Sequence, residues 1–238
     1  MHSYYEKNKK KYNKDIYKLL SYIKDEVTEA FGSDFETVVK TVQDTFTSEF
    51  LSDMPYVGGS KNANDTANLV GGCEYASLFS VGIKQGIALD KLGYLLHLAV
   101  SRQSTVAPKW VQILIRKIIS LNITQKFLIK MADKSKKFAS MYPYAWIYEY
   151  EKPDETYSHK FTCTRCGMCK YMHEKGLGEI MPYICNLDFV GFGAFGLPYY
   201  RDKVIGYGDS KCTNLFKRDA EVVTENWPPH GFRGDGLK

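Results

Sequence analysis

The sequence lacks an apolar run that approaches the roughly 18 residues of a membrane-spanning helix. Its N-terminus lacks the apolar stretch of a secretory signal peptide, and the chain has no internal repeat. We therefore expect a cytoplasmic protein with no membrane partner. Because thiols stay reduced in that compartment, clustered cysteines there indicate metal binding or catalysis rather than disulfides.

The composition excludes a disordered or collagen-like chain, since 44% of the residues are hydrophobic, 14% aromatic and 25% charged. A length of 238 residues allows one large or two small domains. We predict a single α+β domain over residues 1–238. Its expected parts are a basic mobile arm at residues 1–14, a helical part at residues 15–140, a sheet part with the cysteine cluster at residues 141–218 and a loose tail at residues 219–238.

The net charge of +5 has a local cause near the N-terminus. Residues 6–18 carry six lysines and two acidic residues. Such a run is typical of a nucleic-acid-binding arm, but also of a solvated terminus. The run contains no arginine, and no alternation of aromatic and basic residues recurs later in the chain. We therefore favour the solvated terminus over a nucleic-acid partner.

Apolar residues recur at helical spacing from residue 15 to residue 139. Gly32 is expected to end the first helix, and Ser33 with Glu36 to form a capping box for the second. A later helix begins near Pro108 and is apolar nearly all round, which predicts that it is deeply buried. Further helices are predicted at residues 66–85, 90–101 and 124–139.

A segment rich in turn residues, residues 53–65, precedes the third of these helices. Gly58 and Gly59 allow tight turns or a close approach of the backbone to a ligand. Asn62 has two interpretations: it hydrogen-bonds a small polar molecule, or it caps the helix that follows. The residues alone favour the cap.

The periodicity changes after residue 142. Residues 143–151 and 157–165 predict a hairpin of aromatic-rich strands, and residues 176–191 a helix that tolerates Pro182 in its first turns. A final hairpin is expected from residues 197–207 and 211–218. The predicted fold class is therefore α+β, with an N-terminal helical layer packed on a small C-terminal antiparallel sheet.

Five of the six cysteines lie between residues 161 and 218. The spacing Cys163-x2-Cys166-x2-Cys169-x3-His173 is that of a tetrahedral zinc site, and its three cysteines also resemble an iron–sulfur run. The second half of a zinc ribbon or ferredoxin pattern is missing. A metal site would therefore need His173 or a distant cysteine as its fourth ligand.

Thiol catalysis is the second interpretation of this stretch. Cys185 and Asp188 lie three residues apart, on one face of the predicted helix, and Cys212 lies in the last predicted strand. Arg201 is suited to hold a substrate carboxylate with two parallel hydrogen bonds. A third interpretation takes the cysteines as core residues, which suits any single one of them better than five in so short a stretch.

The order of these residues resembles that of the L-2-amino-thiazoline-4-carboxylic acid hydrolase family. The resemblance covers roughly residues 50–218, and the Pro-Tyr-Val-Gly-Gly segment that precedes Asn62 is similar to a segment of that family. The residues that carry it are Cys169, Gly176, Gly178, Glu179, Cys185, Asp188, Arg201, Gly206 or Gly208, and Cys212.

The resemblance implies a hydrolase that opens a C–N or C–S bond of a small, carboxylate-bearing cyclic amidine. It implies catalytic roles for Cys169, Cys185, Asp188 and Cys212, substrate binding by Arg201 and Asn62, and no cofactor. As a hypothesis, a thiolate or a water activated by Asp188 attacks the amidine carbon. The alternative is a non-catalytic module that binds zinc, an iron–sulfur cluster or a small molecule through Cys163, Cys166, Cys169 and His173.

The chain also departs from the family pattern. Residues 202–205 replace a threonine-rich strand, residues 213–214 replace an Asp-Phe pair, and Cys163 and Cys166 are additional. The departures concern the substrate rather than the fold, and the two additional cysteines keep the metal hypothesis open.

Overall fold

The computed structural model describes residues 1–119 and 121–223, which divide into two units at Gln103 and Ser104. The expected tail at residues 219–238 lies mostly outside the described residues. The single domain expected from the sequence stays a prediction, and the two units are treated separately below.

The first unit is helical. Its irregular turns are a π-helical turn at Phe46–Leu51 and a 3₁₀ turn at Gly59–Asn62. Its α-helices are α1 (Ser3–Ser21), α2 (Lys24–Phe31), α3 (Phe35–Thr45), α4 (Ala63–Lys84) and α5 (Leu89–Gln103).

The N-terminal residues differ from the arm expected at residues 1–14. Helix α1 begins at Ser3, and the side chains of Tyr5 and Tyr12 are buried with Ile16. The three residues lie at helical spacing, so that the apolar face of α1 extends into the lysine-rich run. The lysines occupy the other faces of the same helix.

The junction between α2 and α3 confirms one prediction and corrects another. Gly32 ends α2 with φ of 60°, as its freedom from a Cβ allows, although the single first helix predicted to end there is divided into α1 and α2. The capping box predicted for Ser33 is wrong, because Asp34 is the N-cap: its Oδ1 accepts the backbone N–H of Thr37 at 3.1 Å. The aspartate carboxylate lies one position nearer to the free amides of the first turn.

Helix α4 is buried over most of its surface. Leu69, Cys73, Ala76 and Phe79 are all inaccessible to solvent. Cys73 is thus a core thiol, as expected from its small, apolar neighbours.

The second unit combines helices with a sheet. Its helices are α6 (Lys109–Ile119), α7 (Asn122–Met141), α8 (Gly167–Glu174) and α9 (Met181–Ala194), with 3₁₀ turns at Gly178–Ile180 and Ile205–Tyr207. Its strands are β1 (Ile147–Glu151), β2 (Tyr157–Arg165), β3 (Tyr199–Tyr200) and β4 (Cys212–Lys217).

The four strands form one antiparallel sheet in the order β1-β2-β4-β3. Together with the helices it gives the α+β class that the sequence predicts. The hairpin of β1 and β2 is confirmed, although β1 begins only at Ile147. The final hairpin is shorter than predicted, because β3 has two residues and residues 205–207 form a 3₁₀ turn.

Helix α6 overturns the prediction of deep burial, since none of its residues is buried. Trp110 is 69% exposed and Leu114 is 48% exposed, while Ile115 and Ile119 pack against the cluster of Leu197, Tyr199 and Phe216. An apolar helix is buried on every side only where neighbours cover every side, and the sequence pattern does not reveal the neighbours. None of the helices in the described residues is long and apolar enough to cross a membrane.

Candidate functional site

Arg201 lies at the centre of the polar side chains of the second unit. It follows β3 directly, and its side chain is only 9% exposed. Its Nη2 donates to Asp188 Oδ2 at 2.5 Å and to Asn214 Oδ1 at 3.0 Å, and its Nη1 donates to the carbonyl oxygen of Cys185 at 3.0 Å. Three hydrogen bonds, two of them to α9, therefore fix a buried cation.

The partners of Arg201 are held in turn by the sheet. Asn214 lies on β4, where its Oδ1 also accepts the hydroxyl of Tyr199 at 2.7 Å. Its Nδ2 donates to the carbonyl oxygen of Phe161 on β2 at 3.3 Å. Asp188 lies on α9 and is 46% exposed, so that it is the solvent-accessible member of the ion pair.

One donor of the guanidinium has no hydrogen-bond partner among the described residues. Arg201 Nε is buried, and no acceptor lies within reach of it. Buried donors are nearly always paired in native proteins, so that Nε is the guanidinium nitrogen open to a further acceptor. The double hydrogen bond to a carboxylate expected from the sequence would use Nε and Nη2 together, and Nη2 already donates to Asp188 and Asn214.

Three cysteine sulfurs meet beside this ion pair. Cys166 is the N-cap of α8, and its Sγ accepts the backbone N–H of Cys169 at 3.4 Å. The thiol of Cys169 is in hydrogen-bonding contact with the sulfurs of Cys166 and Cys185. Cys185 comes from α9 and lies against Gly206, where a Cβ atom would stand 2.7 Å from its Sγ.

The other two cysteines of the stretch face each other across the sheet. Cys163 on β2 is paired in register with Cys212 on β4. The Cys163 thiol donates to the carbonyl oxygen of Arg165 at 3.2 Å, and Cys212 Sγ accepts the N–H of Ile205 at 3.2 Å.

Three of these thiols have raised pKa values and stay protonated at neutral pH. Burial raises the pKa of Cys212 to about 12, against the opposing effect of Arg201, and it raises the pKa of Cys163 well above its ordinary value. The pKa of Cys169 is also raised, chiefly because its thiol donates to Cys166 and Cys185. For Cys166 the direction is opposite: its sulfur accepts from Cys169, from the thiol above all and from the backbone amide as well, and its pKa is lowered.

The structure brings together Cys169, Cys185, Asp188, Arg201 and Cys212, all five site residues predicted in the last third of the chain. Electrostatic interactions connect each of them to Arg201 or to another member of the group. Their catalytic and binding roles stay predictions.

Asn62 belongs to the first unit. Its Nδ2 donates to the carbonyl oxygen of Val57 at 2.9 Å and to Asp65 Oδ2 at 2.8 Å. It occupies the N-cap position of α4, but its side chain makes no capping hydrogen bond. Its contact with a ligand stays a prediction.

Sequence reasoning missed Cys166 as the N-cap of a helix, and it missed Asn214 and Tyr199 as supports of Arg201. A signal for Cys166 was present, since Cys-Gly-x-Cys at the start of a helix is a pattern of reactive thiols. It went unused because α8 itself was not predicted.

The proposed metal ligands have a different arrangement. His173 Nδ1 lies 2.7 Å from the carbonyl oxygen of Cys169, which leaves only Nε2 to bind an ion. Within residues 1–119 and 121–223, no three or more His, Cys, Asp or Glu side chains are grouped so that they could hold a metal ion. The metal-binding alternative stays a prediction.

Comparison with known proteins gives a family for this region. Residues 110–216 match the model of the L-2-amino-thiazoline-4-carboxylic acid hydrolase family. No curated protein and no solved structure matches the chain. The match confirms the resemblance over this segment, while the similarity of residues 50–109 stays a prediction. Every predicted site residue except Asn62 lies inside this match.

Proposed function

We propose that the protein hydrolyses a small, carboxylate-bearing cyclic amidine similar to L-2-amino-thiazoline-4-carboxylate. One observation carries the proposal: the family match encloses Arg201, its three partners and all five clustered cysteines. All six cysteines of the chain are free, which supports a cytoplasmic location.

The substrate carboxylate is assigned to the neighbourhood of Arg201. A buried cation attracts an anionic ligand more strongly than an exposed one, because water does not screen it. In this proposal Nε donates to the carboxylate, which gives the orphaned donor an acceptor. The contact is a single hydrogen bond, since Nη2 is already occupied.

Water is the proposed nucleophile, and Asp188 is the proposed base. Asp188 Oδ2 is bonded to Arg201, so that Oδ1 is the oxygen that accepts a proton from the attacking water. The water oxygen bonds to the amidine carbon between nitrogen and sulfur, and the ring C–S bond breaks. The sulfur leaves with the bonding electrons and takes up a proton, which gives N-carbamoyl-cysteine.

The neutral thiols suit the second half of this reaction. Cys169 and Cys212 keep their protons at neutral pH, because their pKa values are raised. A neutral thiol that lies against the leaving sulfur can donate a hydrogen bond to it, and the sulfur takes up its proton from solvent, which prevents the ring from closing again. Cys185, in contact with Cys169, is assigned to the same wall of the site.

Turnover of L-2-amino-thiazoline-4-carboxylate by the purified protein tests the proposal. Mass spectrometry should show the gain of one water, and a thiol reagent should detect one free product thiol per turnover. A folded sample that gives neither product would overturn the proposed substrate.

The role of Asp188 is tested by Asp188→Asn, which keeps an acceptor for Arg201 but removes the base. We expect turnover to fall by a factor of about 100 or more. Asp44→Asn, in an exposed ion pair with Lys40 on α3, is the matched control and should keep full turnover. Undiminished turnover in Asp188→Asn would show that Asp188 is not the base.

A further inference from the structure

The start of helix α8 holds two cysteines in the arrangement of a reactive dithiol. Cys166 is the N-cap and Cys169 stands one turn later, so that the two side chains share a face of the helix. The Cys169 amide donates to Cys166 Sγ at 3.4 Å, and the Cys169 thiol touches the same sulfur. No step of the proposed hydrolysis uses Cys166.

The two cysteines differ in exposure. Cys166 is partly exposed, whereas Cys169 is buried and 3% accessible. An attacking thiol must be accessible to its partner, while a resolving thiol needs only to reach the first sulfur. The structure thus gives each cysteine the exposure that one of these roles requires.

The surroundings of Cys166 stabilise negative charge on its sulfur. The free amides and the dipole of a helix N-terminus favour a thiolate over a thiol. The backbone N–H of Cys169 donates to this sulfur at 3.4 Å, which directs one of these amides at it.

We propose that Cys166 and Cys169 form a thiol–disulfide exchange site for low-molecular-weight disulfides. The Cys166 thiolate attacks one sulfur of the small disulfide, forms a mixed disulfide and releases the first thiolate. Cys169 gives its proton to this leaving thiolate and attacks Cys166 Sγ, which releases the second small molecule as a thiolate. The two protein thiols are oxidised by two electrons, and the small disulfide is reduced to two thiol molecules.

Oxidised glutathione is the probe for the test, with the full chain and no hydrolase substrate. The reduced protein is equilibrated with mixtures of oxidised and reduced glutathione, quenched with acid and alkylated, and its peptides are mapped by mass spectrometry. We expect an intramolecular disulfide between Cys166 and Cys169. A disulfide that joins Cys169 to Cys185, or no disulfide with Cys166 at all, would overturn the proposal.

Three variants sharpen the result. Cys169→Ser should accumulate the glutathione adduct on Cys166 roughly tenfold above the parent protein, because the resolving thiol is gone. Cys166→Ser should abolish both the adduct and the disulfide. Cys73→Ala, which changes the core thiol of α4, should leave both unchanged. Equal adduct levels in Cys169→Ser and the parent protein would show that Cys169 does not resolve.

The readout is independent of hydrolysis. A protein that forms the Cys166–Cys169 disulfide but does not turn over aminothiazoline carboxylate supports the exchange site and contradicts the proposed function. The reverse result contradicts the exchange site alone.

Discussion

The two units of the chain use their polar groups in opposite ways. In the first unit, Lys40 and Asp44 form an ion pair on the exposed surface of α3, and the buried carboxyl group of Asp65 in α4 accepts from the uncharged side chain of Asn62. In the second unit, Arg201 is buried as a cation and five cysteines cluster between helices and sheet. Buried charge costs free energy unless it is paired, and Asp188 supplies the counter-charge of Arg201.

The apolar side chains of α4 and α6 differ in the opposite sense to the charged groups, since they are buried in the first unit and exposed in the second. Helix α4 hides its leucines, whereas α6 exposes Trp110, Ile113, Leu114 and Ile118 to solvent. The second unit thus carries both the candidate chemistry and the exposed apolar face of α6.

Truncating one leucine in each helix gives the largest expected difference between the units. Leu69→Ala in α4 removes a fully buried side chain and should lower the free energy of unfolding by about 3 kcal/mol. Leu114→Ala, on a side chain that is 48% exposed, should change it by about 0.5 kcal/mol or less. Urea unfolding, with hydrogen exchange of peptides from each unit, measures both. A comparably large loss in Leu114→Ala would mean that α6 is covered in solution.

Removing an aspartate from each ion pair gives the next largest effect. Asp188→Ala leaves the buried Arg201 without its counter-charge and should destabilise the second unit by about 2 kcal/mol, a value reduced by the partial exposure of Asp188. Asp44→Ala removes one side of an exposed pair and should have almost no effect. Urea unfolding compares the two variants. Equal losses in the free energy of unfolding would contradict the difference between the buried and the exposed ion pair.

Glu74 in α4 is an exception to the contrast, because its carboxyl group is shielded from solvent in the first unit. Burial, reinforced by Asp15, raises its pKa from 4.5 to about 8. Between these pH values the folded chain binds the proton more tightly than the unfolded chain, so that stability falls as the pH rises from 4.5 to 8. Glu74→Gln should therefore raise Tm by a few degrees at pH 8 and leave it unchanged at pH 4.

The matched control for this smallest effect is Glu29→Gln, on an exposed position of α2. It should leave Tm unchanged at both pH values. If Tm changed with pH in the same way in the parent chain and in Glu74→Gln, the proton that Glu74 binds would not cause the pH dependence of stability.

Much of this architecture was predictable because the signals are local. Gly32 ends α2, Pro182 stands in the first turn of α9, and β2 has the predicted ends at residues 157 and 165. Such features depend on a few neighbouring residues. The spacing of Cys185 and Asp188 was a local signal as well, whereas their grouping with Cys169, Arg201 and Cys212 was expected from the order of family residues.

What failed depended on distant neighbours. The exposure of α6 is decided by the side chains that do or do not cover it, which periodicity does not contain. Helix α8 escaped prediction because its eight residues are too few for a periodic signal. The support of Arg201 by Asn214 needs the pairing of β4 with β2, a long-range contact.

Gly167, between Cys166 and Cys169, is packed so tightly that a Cβ atom there would stand 1.8 Å from the carbonyl oxygen of Tyr144. The first turn of α8 is thus fixed against the segment that leads into β1. Backbone dipoles that are already fixed in direction move little when negative charge develops beside them, so that the reorganisation energy is small. The backbone N–H of Cys169, which donates to Cys166 Sγ, is such a dipole. A substitution of Gly167 that lets this turn move would therefore slow nucleophilic attack by the Cys166 sulfur, although it changes neither cysteine.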